Sequence, residues 1–413
     1  MLPRPSLSFT LPSIYDSTKL DCRVYHPACL DGSFRSSPWR RHAAVVAHPY
    51  APLGGCYDDP VVAVIASTLL QLGFVVATFN FRGASSSDGR TSWTSKPERA
   101  DYMSVASFLV YYVHYLRPPH CPPATAIRTA PPPTLLLAGY SYGATVTIQL
   151  PPPSSFLSQF VSPPAHTALA DIRLRAQHLA EQQAIMDATP TSPRKSLGMR
   201  VGGSEDTSSQ KAHEKLRTHS PDREEKIRRG VKDLLSRSHL IHRKHDGNLT
   251  GQHKELEHEH EHEHEHEHEH EVPCLGKLDN LIEFRSAYLV VSPPVGIVTN
   301  LATLNFSNPF SSWSRRKGGG PSSTKIHGGE VAKEETEAEA KLRRNPTLAV
   351  YGSQDGFLSL KRMHDWTGQL SSTDGSQFRH VEVSGAGHFW LEEGVLYKLR
   401  EAVFSFASGL IGG

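Results

Sequence analysis

The chain has 413 residues, a formal net charge of +2 and 38% hydrophobic residues. A charge so near zero gives no electrostatic reason to expect a nucleic-acid partner, and five cysteines without a C-x-x-C spacing argue against a disulfide framework. No apolar stretch follows the first residues, so no secretion signal is expected and the cytosol is the default compartment.

In chain order, the first core-like element is the apolar strand Ala43-Ala44-Val45-Val46-Ala47-His48, followed by the loop Pro49-Tyr50-Ala51-Pro52-Leu53-Gly54-Gly55. Asp58-Asp59-Pro60 reads as a helix start, with carboxylates at the cap and proline in the first turn. Residues 61–81 carry no charge, and their length suggests a membrane span. Leu72-Gly73-Phe74 breaks the run, which therefore predicts a helix followed by a strand, Val75 to Phe81. Arg82-Gly83 opens the next loop, and an amphipathic helix is predicted from Arg99 to Tyr115.

The apolar run Thr134-Leu135-Leu136-Leu137-Ala138 leads into Gly139-Tyr140-Ser141-Tyr142-Gly143 and then into a helix-compatible stretch. Strand, sharp turn and helix are the context that a G-x-S-x-G nucleophile elbow requires. Residues 151–275 are rich in proline, serine, histidine and charge, and are expected to be an insertion, largely disordered or forming a partial lid. Within it, Leu169, Ile172, Ala176 and Leu179 share helical spacing, as do Ile227, Val231, Leu234, Leu235 and Ile241. Ser192 and Ser220, each before a proline, are weak phosphorylation candidates. The Glu-His alternation from Glu257 to Glu271 reads as a solvated low-complexity segment without a specific metal role.

Core character resumes with the strand Ser286 to Ser292. A polar stretch over residues 310–344 is expected to be a flexible loop with a solvated helix, and its Gly318-Gly319-Gly320 lacks the Lys-Ser/Thr of a phosphate loop. Two more strands follow, Pro346 to Gly352 and Phe378 to Val383. Asp355 lies in the loop after the first and His388 in the loop after the second. The resulting organisation is one core in two parts, 1–150 and 276–413, interrupted by 151–275, with core-like segments of about 270 residues.

Ser141, Asp355 and His388 thus all fall just past predicted strand C-termini, which line one edge of a parallel sheet. A serine hydroxyl becomes an effective nucleophile when a neighbouring imidazole takes its proton, and a carboxylate behind the ring fixes its tautomer. Asp365, Glu392 and Glu393 are rival acids, and His364 and His380 rival bases. They lie in predicted helices or strands, where they point less well at Ser141.

His48-Pro49-Tyr50, Gly54-Gly55, Phe79-Asn80-Phe81-Arg82-Gly83, the Gly139–Gly143 pentapeptide, Asp355 and Gly385-Ala386-Gly387-His388 together resemble the α/β-hydrolase superfamily. The similarity is greatest to the small hydrolases of its serine aminopeptidase-like and dienelactone hydrolase-like branches, and covers roughly residues 40–150 and 280–410. It implies an α/β class fold, a doubly wound, mostly parallel sheet, here carrying two low-complexity insertions. It also implies Ser141 as nucleophile, Asp355 as acid, His388 as base, and the backbone N–H groups of Tyr142 and Tyr50 as oxyanion donors. His48 is expected to brace the loop. The second histidine of the family's HPHP loop is Tyr50 here.

The function that follows is hydrolysis of an ester, thioester or amide on a small-molecule acyl substrate, with no cofactor and no metal. A catalytically silent scaffold that binds proteins, and an acyltransferase on the same fold, are the alternatives.

Overall fold

The computed structural model describes residues 2–30, 39–92, 94–116, 131–188, 273–278, 280–294 and 337–412. The second predicted helical face, Ser192, Ser220, the Glu-His alternation and the triple glycine lie outside the described residues.

Eight strands form one sheet: β1 (Leu7–Pro12), β2 (Lys19–Tyr25), β3 (Ala43–Ala47), β4 (Val75–Phe79), β5 (Thr134–Tyr140), β6 (Arg285–Val291), β7 (Thr347–Gly352) and β8 (Phe378–Val383). Their order is β1-β2-β4-β3-β5-β6-β7-β8. β2 runs antiparallel to both neighbours, and every pair from β4 to β8 is parallel. This is the α/β-hydrolase fold. The β1–β2 hairpin is not evident from the sequence.

β3, β4, β5 and β7 are buried along their whole length, as strands covered on both faces must be. The two-residue period divides β3 cleanly. Ala43, Val45 and Ala47 face one half of the core and Ala44 and Val46 the other. β8 is one of the two edge strands, and it exposes Arg379, His380, Val381 and Glu382, whose polar members discourage pairing with another chain.

Helices cover both faces. α1 (Pro60–Gln71) starts where predicted, with the Asp59 carboxylate accepting from the Val61 and Val62 N–H groups, a cap worth about 1 kcal/mol. Gly73, at φ +90°, turns the chain into β4, so the uncharged run is split as expected. Among the described residues no helix is long and apolar enough to cross a membrane. α2 (Lys96–Tyr115) begins three residues before the predicted start, because Pro97 sits in its first turn, where a missing N–H costs nothing.

α3 (Tyr142–Gln149) follows the elbow, and α4 (Pro153–Leu157) and α5 (Ala168–Ala188) follow it. The last two fall inside the expected insertion, yet they are part of the packed core. Ile172, Ala176 and Leu179, three of the four residues on the predicted face, are buried in the cluster that also holds α2 and β1 residues. α5 therefore walls the β1 end of the sheet, the opposite end from β7 and β8.

A further helix, α6, is described over residues 337–344. Lys341 in it is buried, and its Nζ donates to the carbonyls of Thr147, Ile148 and Leu150 at 2.6–3.2 Å. These carbonyls end α3, so the ammonium caps the C-terminus of the elbow helix. α7 (Leu360–Ser371) joins β7 to β8, and α8 (Val395–Ile411) packs beside α1 on the other face.

Candidate active site

β3 marks the point where the strand order reverses, since β4 lies on one side of it and β5 on the other. Crevices at such points, beyond the strand C-termini, bind ligands in open α/β sheets. The loops after β3, β5, β7 and β8 all emerge at that edge.

Ser141 sits between β5 and α3 at φ 52°, ψ −116°, a conformation that costs a non-glycine residue about 1–3 kcal/mol. The surroundings hold it there. Its N–H donates to Val291 O at 2.8 Å, and its carbonyl accepts from Thr145 N–H. The flanking glycines are required by contact. A Cβ on Gly139 would lie 2.2 Å from Gly143 O, and one on Gly143 would lie 2.7 Å from the carbonyls of both Ala47 and His48. The elbow helix thus crosses directly over the end of β3.

Ser141 Oγ lies 2.8 Å from His388 Nε2. His388 Nδ1 lies 2.8 and 2.9 Å from the two Asp355 carboxylate oxygens. All three residues are buried, each less than a tenth exposed. With Asp355 ionised, Nδ1 carries the ring proton and Nε2 is left to accept from the serine hydroxyl.

The acid and histidine loops are tied together by their own backbones. Ser353 N–H donates to Val383 O, Gln354 N–H to Ala386 O, and Gly385 N–H to Ser353 Oγ. A Cβ on Gly352 would meet Ala386 O at 2.1 Å. Asp355 Oδ1 also accepts from Phe357 N–H at 2.9 Å. From the elbow itself, Tyr140 Oη donates to His388 O at 2.7 Å. The sequence offers no role for this tyrosine, although its position beside the nucleophile is the signal that it faces the same edge.

The two residues expected to supply oxyanion donors touch through their side chains. Tyr142 is the first residue of α3, so its N–H has no partner within the helix. Tyr50 stands before the 3-10 turn Ala51–Leu53 of the β3 loop. Their rings meet edge to face with centroids 5.3 Å apart, and Phe81 lies 6.0 Å from the Tyr142 ring. Burial pushes the Tyr142 phenol up, helped by the Glu98 and Tyr50 side chains nearby.

His48 braces this loop. Its Nδ1 donates to Pro49 O at 2.6 Å, and its Nε2 accepts from Phe81 N–H at 2.9 Å. Accepting from a backbone N–H requires the neutral ring, and burial pushes its pKa down to about 4. An unfolded histidine titrates near 6.5, so this group's stabilising contribution is complete above about pH 6.5 and is lost as pH falls towards 4. In an NMR titration the His48 ring is expected to keep its neutral Nδ1–H signature down to about pH 5; a midpoint near 6.5 would contradict the brace.

The two rival histidines are paired with other side chains. His364 pairs with Glu382 and His380 with Tyr351 Oη. Asp365 is in α7. Glu392 and Glu393 lie in the turn before α8 rather than in a helix or strand, and the Glu392 carboxylate accepts from Gly387 N–H. Among the described residues no group of three or more His, Cys, Asp or Glu side chains is placed to hold a metal ion.

No family model matches the chain, and no curated protein matches it. Similar solved structures include XC6422 from Xanthomonas campestris, described as an α/β serine hydrolase without lid (15% identity, 100% of this chain and 98% of the other covered, TM-score 0.44). A second is an α/β serine hydrolase homologue from Coxiella burnetii (14%, 98% and 99%, TM-score 0.43). A third is Est1E from Butyrivibrio proteoclasticus with ferulic acid bound (12%, 96% and 97%, TM-score 0.41). Likeness at this level carries no weight for function.

Proposed function

We propose that the chain is a serine hydrolase that cleaves carboxylic esters through an acyl-enzyme intermediate, with Ser141 as nucleophile, His388 as base and Asp355 as acid. One observation supports this above all: an unbroken Oγ–imidazole–carboxylate relay, with contacts of 2.8 Å at each step, built on a serine in strained backbone. Strain of this kind persists where surrounding structure over-determines it, which is a property of reactive sites.

In the reading, Ser141 Oγ attacks the ester carbonyl carbon while its proton passes to His388 Nε2. Asp355 stabilises the imidazolium. The carbonyl oxygen gains the negative charge and accepts from the Tyr142 and Tyr50 N–H groups. Collapse of the tetrahedral species breaks the carbon–oxygen ester bond, and Nε2 returns the proton to the departing alkoxide. Water then repeats the sequence on the acyl enzyme, releasing the acid and restoring Ser141. Esters are preferred over amides because the alcohol is the easier leaving group. The reading extends to a reducing compartment, the cytosol by default, in keeping with the free thiols of Cys22 and Cys56.

A fluorophosphonate probe tests the assignment. Peptide mass spectrometry is expected to place the adduct on Ser141. A folded protein that takes no label would overturn the reading in favour of a silent scaffold, and an adduct on another residue would overturn the assignment of Ser141.

A further inference from the structure

Two large aromatic rings stand beside the base without belonging to the core. Phe357 follows Asp355 by two residues, and its ring centroid is 4.6 Å from that of His388. Phe389 follows His388 directly; its ring meets the imidazole at 5.5 Å and Phe357 edge-on, also at 5.5 Å. Phe357 is 44% and Phe389 55% exposed. Neither is a member of the core clusters. Tyr140 lies against the imidazole too, at 5.9 Å, but it is buried.

Folding does not account for this pair. A phenylalanine contributes to stability through the area it removes from water, and these two leave about half of theirs in it. Adjoining exposed apolar side chains that frame polar chemistry mark a surface that becomes covered in use.

Their position says which part of a substrate covers them. The proton that Nε2 takes from Ser141 must next be given to the departing oxygen, so that oxygen has to lie within hydrogen-bond reach of Nε2. Whatever carbon group the oxygen carries is then on the imidazole side of the reacting carbon. Phe357 and Phe389 are the exposed rings packed against that imidazole.

We propose that Phe357 and Phe389 form the leaving-group subsite, and that the preferred substrates are esters of aromatic alcohols, held by edge or offset contact with these two rings. The inference rests on the serine hydrolase reading and adds a substrate class to it.

Acetate esters of benzyl alcohol and ethanol test it, because they share one acyl group and their alcohols have similar acidity. The full-length protein is expected to favour the benzyl ester in kcat/KM by about tenfold or more. Phe389→Ala is expected to bring that ratio to near one, and Phe389→Tyr, which keeps the ring, to retain it. A ratio near one in the wild type, or one unchanged by Phe389→Ala, overturns the inference alone. Fluorophosphonate labelling at Ser141 with neither ester cleaved also overturns it, and leaves the nucleophile standing. Absence of labelling removes the hydrolase reading beneath it.

Discussion

Replacing Ser141 by alanine is expected to lower kcat for ester hydrolysis by about 10⁶, and replacing His388 by alanine to do nearly the same. The reason is that the two act as one device. The hydroxyl is a poor nucleophile without the imidazole 2.8 Å away to accept its proton, and the imidazole has nothing to activate without the hydroxyl. The Ser141→Ala/His388→Ala double variant should therefore be no slower than either single variant, rather than slower by the product of the two losses. What remains, about 10³–10⁴ over the uncatalysed reaction, reflects the oxyanion donors and substrate binding. Steady-state kinetics on one activated ester would settle the matter. Independent, multiplicative losses would mean that the two side chains do not work together. Ser141→Ala removes only a hydroxyl and should fold as the wild type does, whereas His388→Ala leaves the fully buried Asp355 carboxylate without its side-chain partner, so its circular dichroism spectrum is compared with that of the wild type before kcat is read.

Loss of Arg82 is expected to be the most damaging single change to stability. Its guanidinium makes a two-point contact with Asp101, Nε to Oδ2 at 2.9 Å and a terminal nitrogen to Oδ1 at 2.7 Å, and it also reaches Asp16 and Ser13. The Asp101 side chain is fully buried and that of Arg82 is 6% exposed. Burial raises the Asp101 carboxyl above its usual range, and Arg82 opposes that shift. In Arg82→Met the carboxylate is left buried without its countercharge, a situation that costs about 3–5 kcal/mol. That is a large share of the ~5–15 kcal/mol that holds a domain folded.

The sign of its pH dependence follows. Asp101 in the variant binds a proton more readily folded than unfolded, so the loss should shrink as pH falls from about 7 to about 5. Urea midpoints at the two pH values measure it. Arg82→Met/Asp101→Leu should regain most of the stability, because it removes the isolated charge along with its partner. A loss below about 1 kcal/mol in the single variant would show that water or another group satisfies Asp101.

Much of the sheet was legible in the sequence because its inner strands are apolar on both faces. β3, β4, β5 and β7 stand out as uninterrupted runs between turn residues, and Ser141 and Asp355 stand out because each follows such a run, whereas His388 follows the polar edge strand β8. The β1–β2 hairpin was hidden for the converse reason. β1 alternates buried and half-buried positions over only six residues and ends in proline.

The helical face of α5 was legible, but its place in the core was not. Its two arginines look solvated, yet Arg173 and Arg175 are both buried. The Arg173 guanidinium donates to the carbonyls of Phe160, Val161 and Gly276, and Arg175 to Asp171 and to Thr10 O. Charge counted along a sequence cannot tell a solvated cation from one that saturates backbone carbonyls inside a core. Phe357 and Phe389 were passed over because the sequence gives their identity and not their exposure.

The chain that leaves α5 comes back to a fixed address. Pro164 bridges to Cys274, Ala165 N–H donates to Pro273 O, and Leu275 N–H donates to Pro163 O. This short antiparallel staple closes next to the beginning of α5, whereas the outgoing chain departs from its far end. A helix of 21 residues spans about 31 Å, a gap that some ten extended residues could bridge. The scaffold thus sets only a minimum reach for the connection from Ala188 to Pro273: its two ends are anchored about one helix length apart.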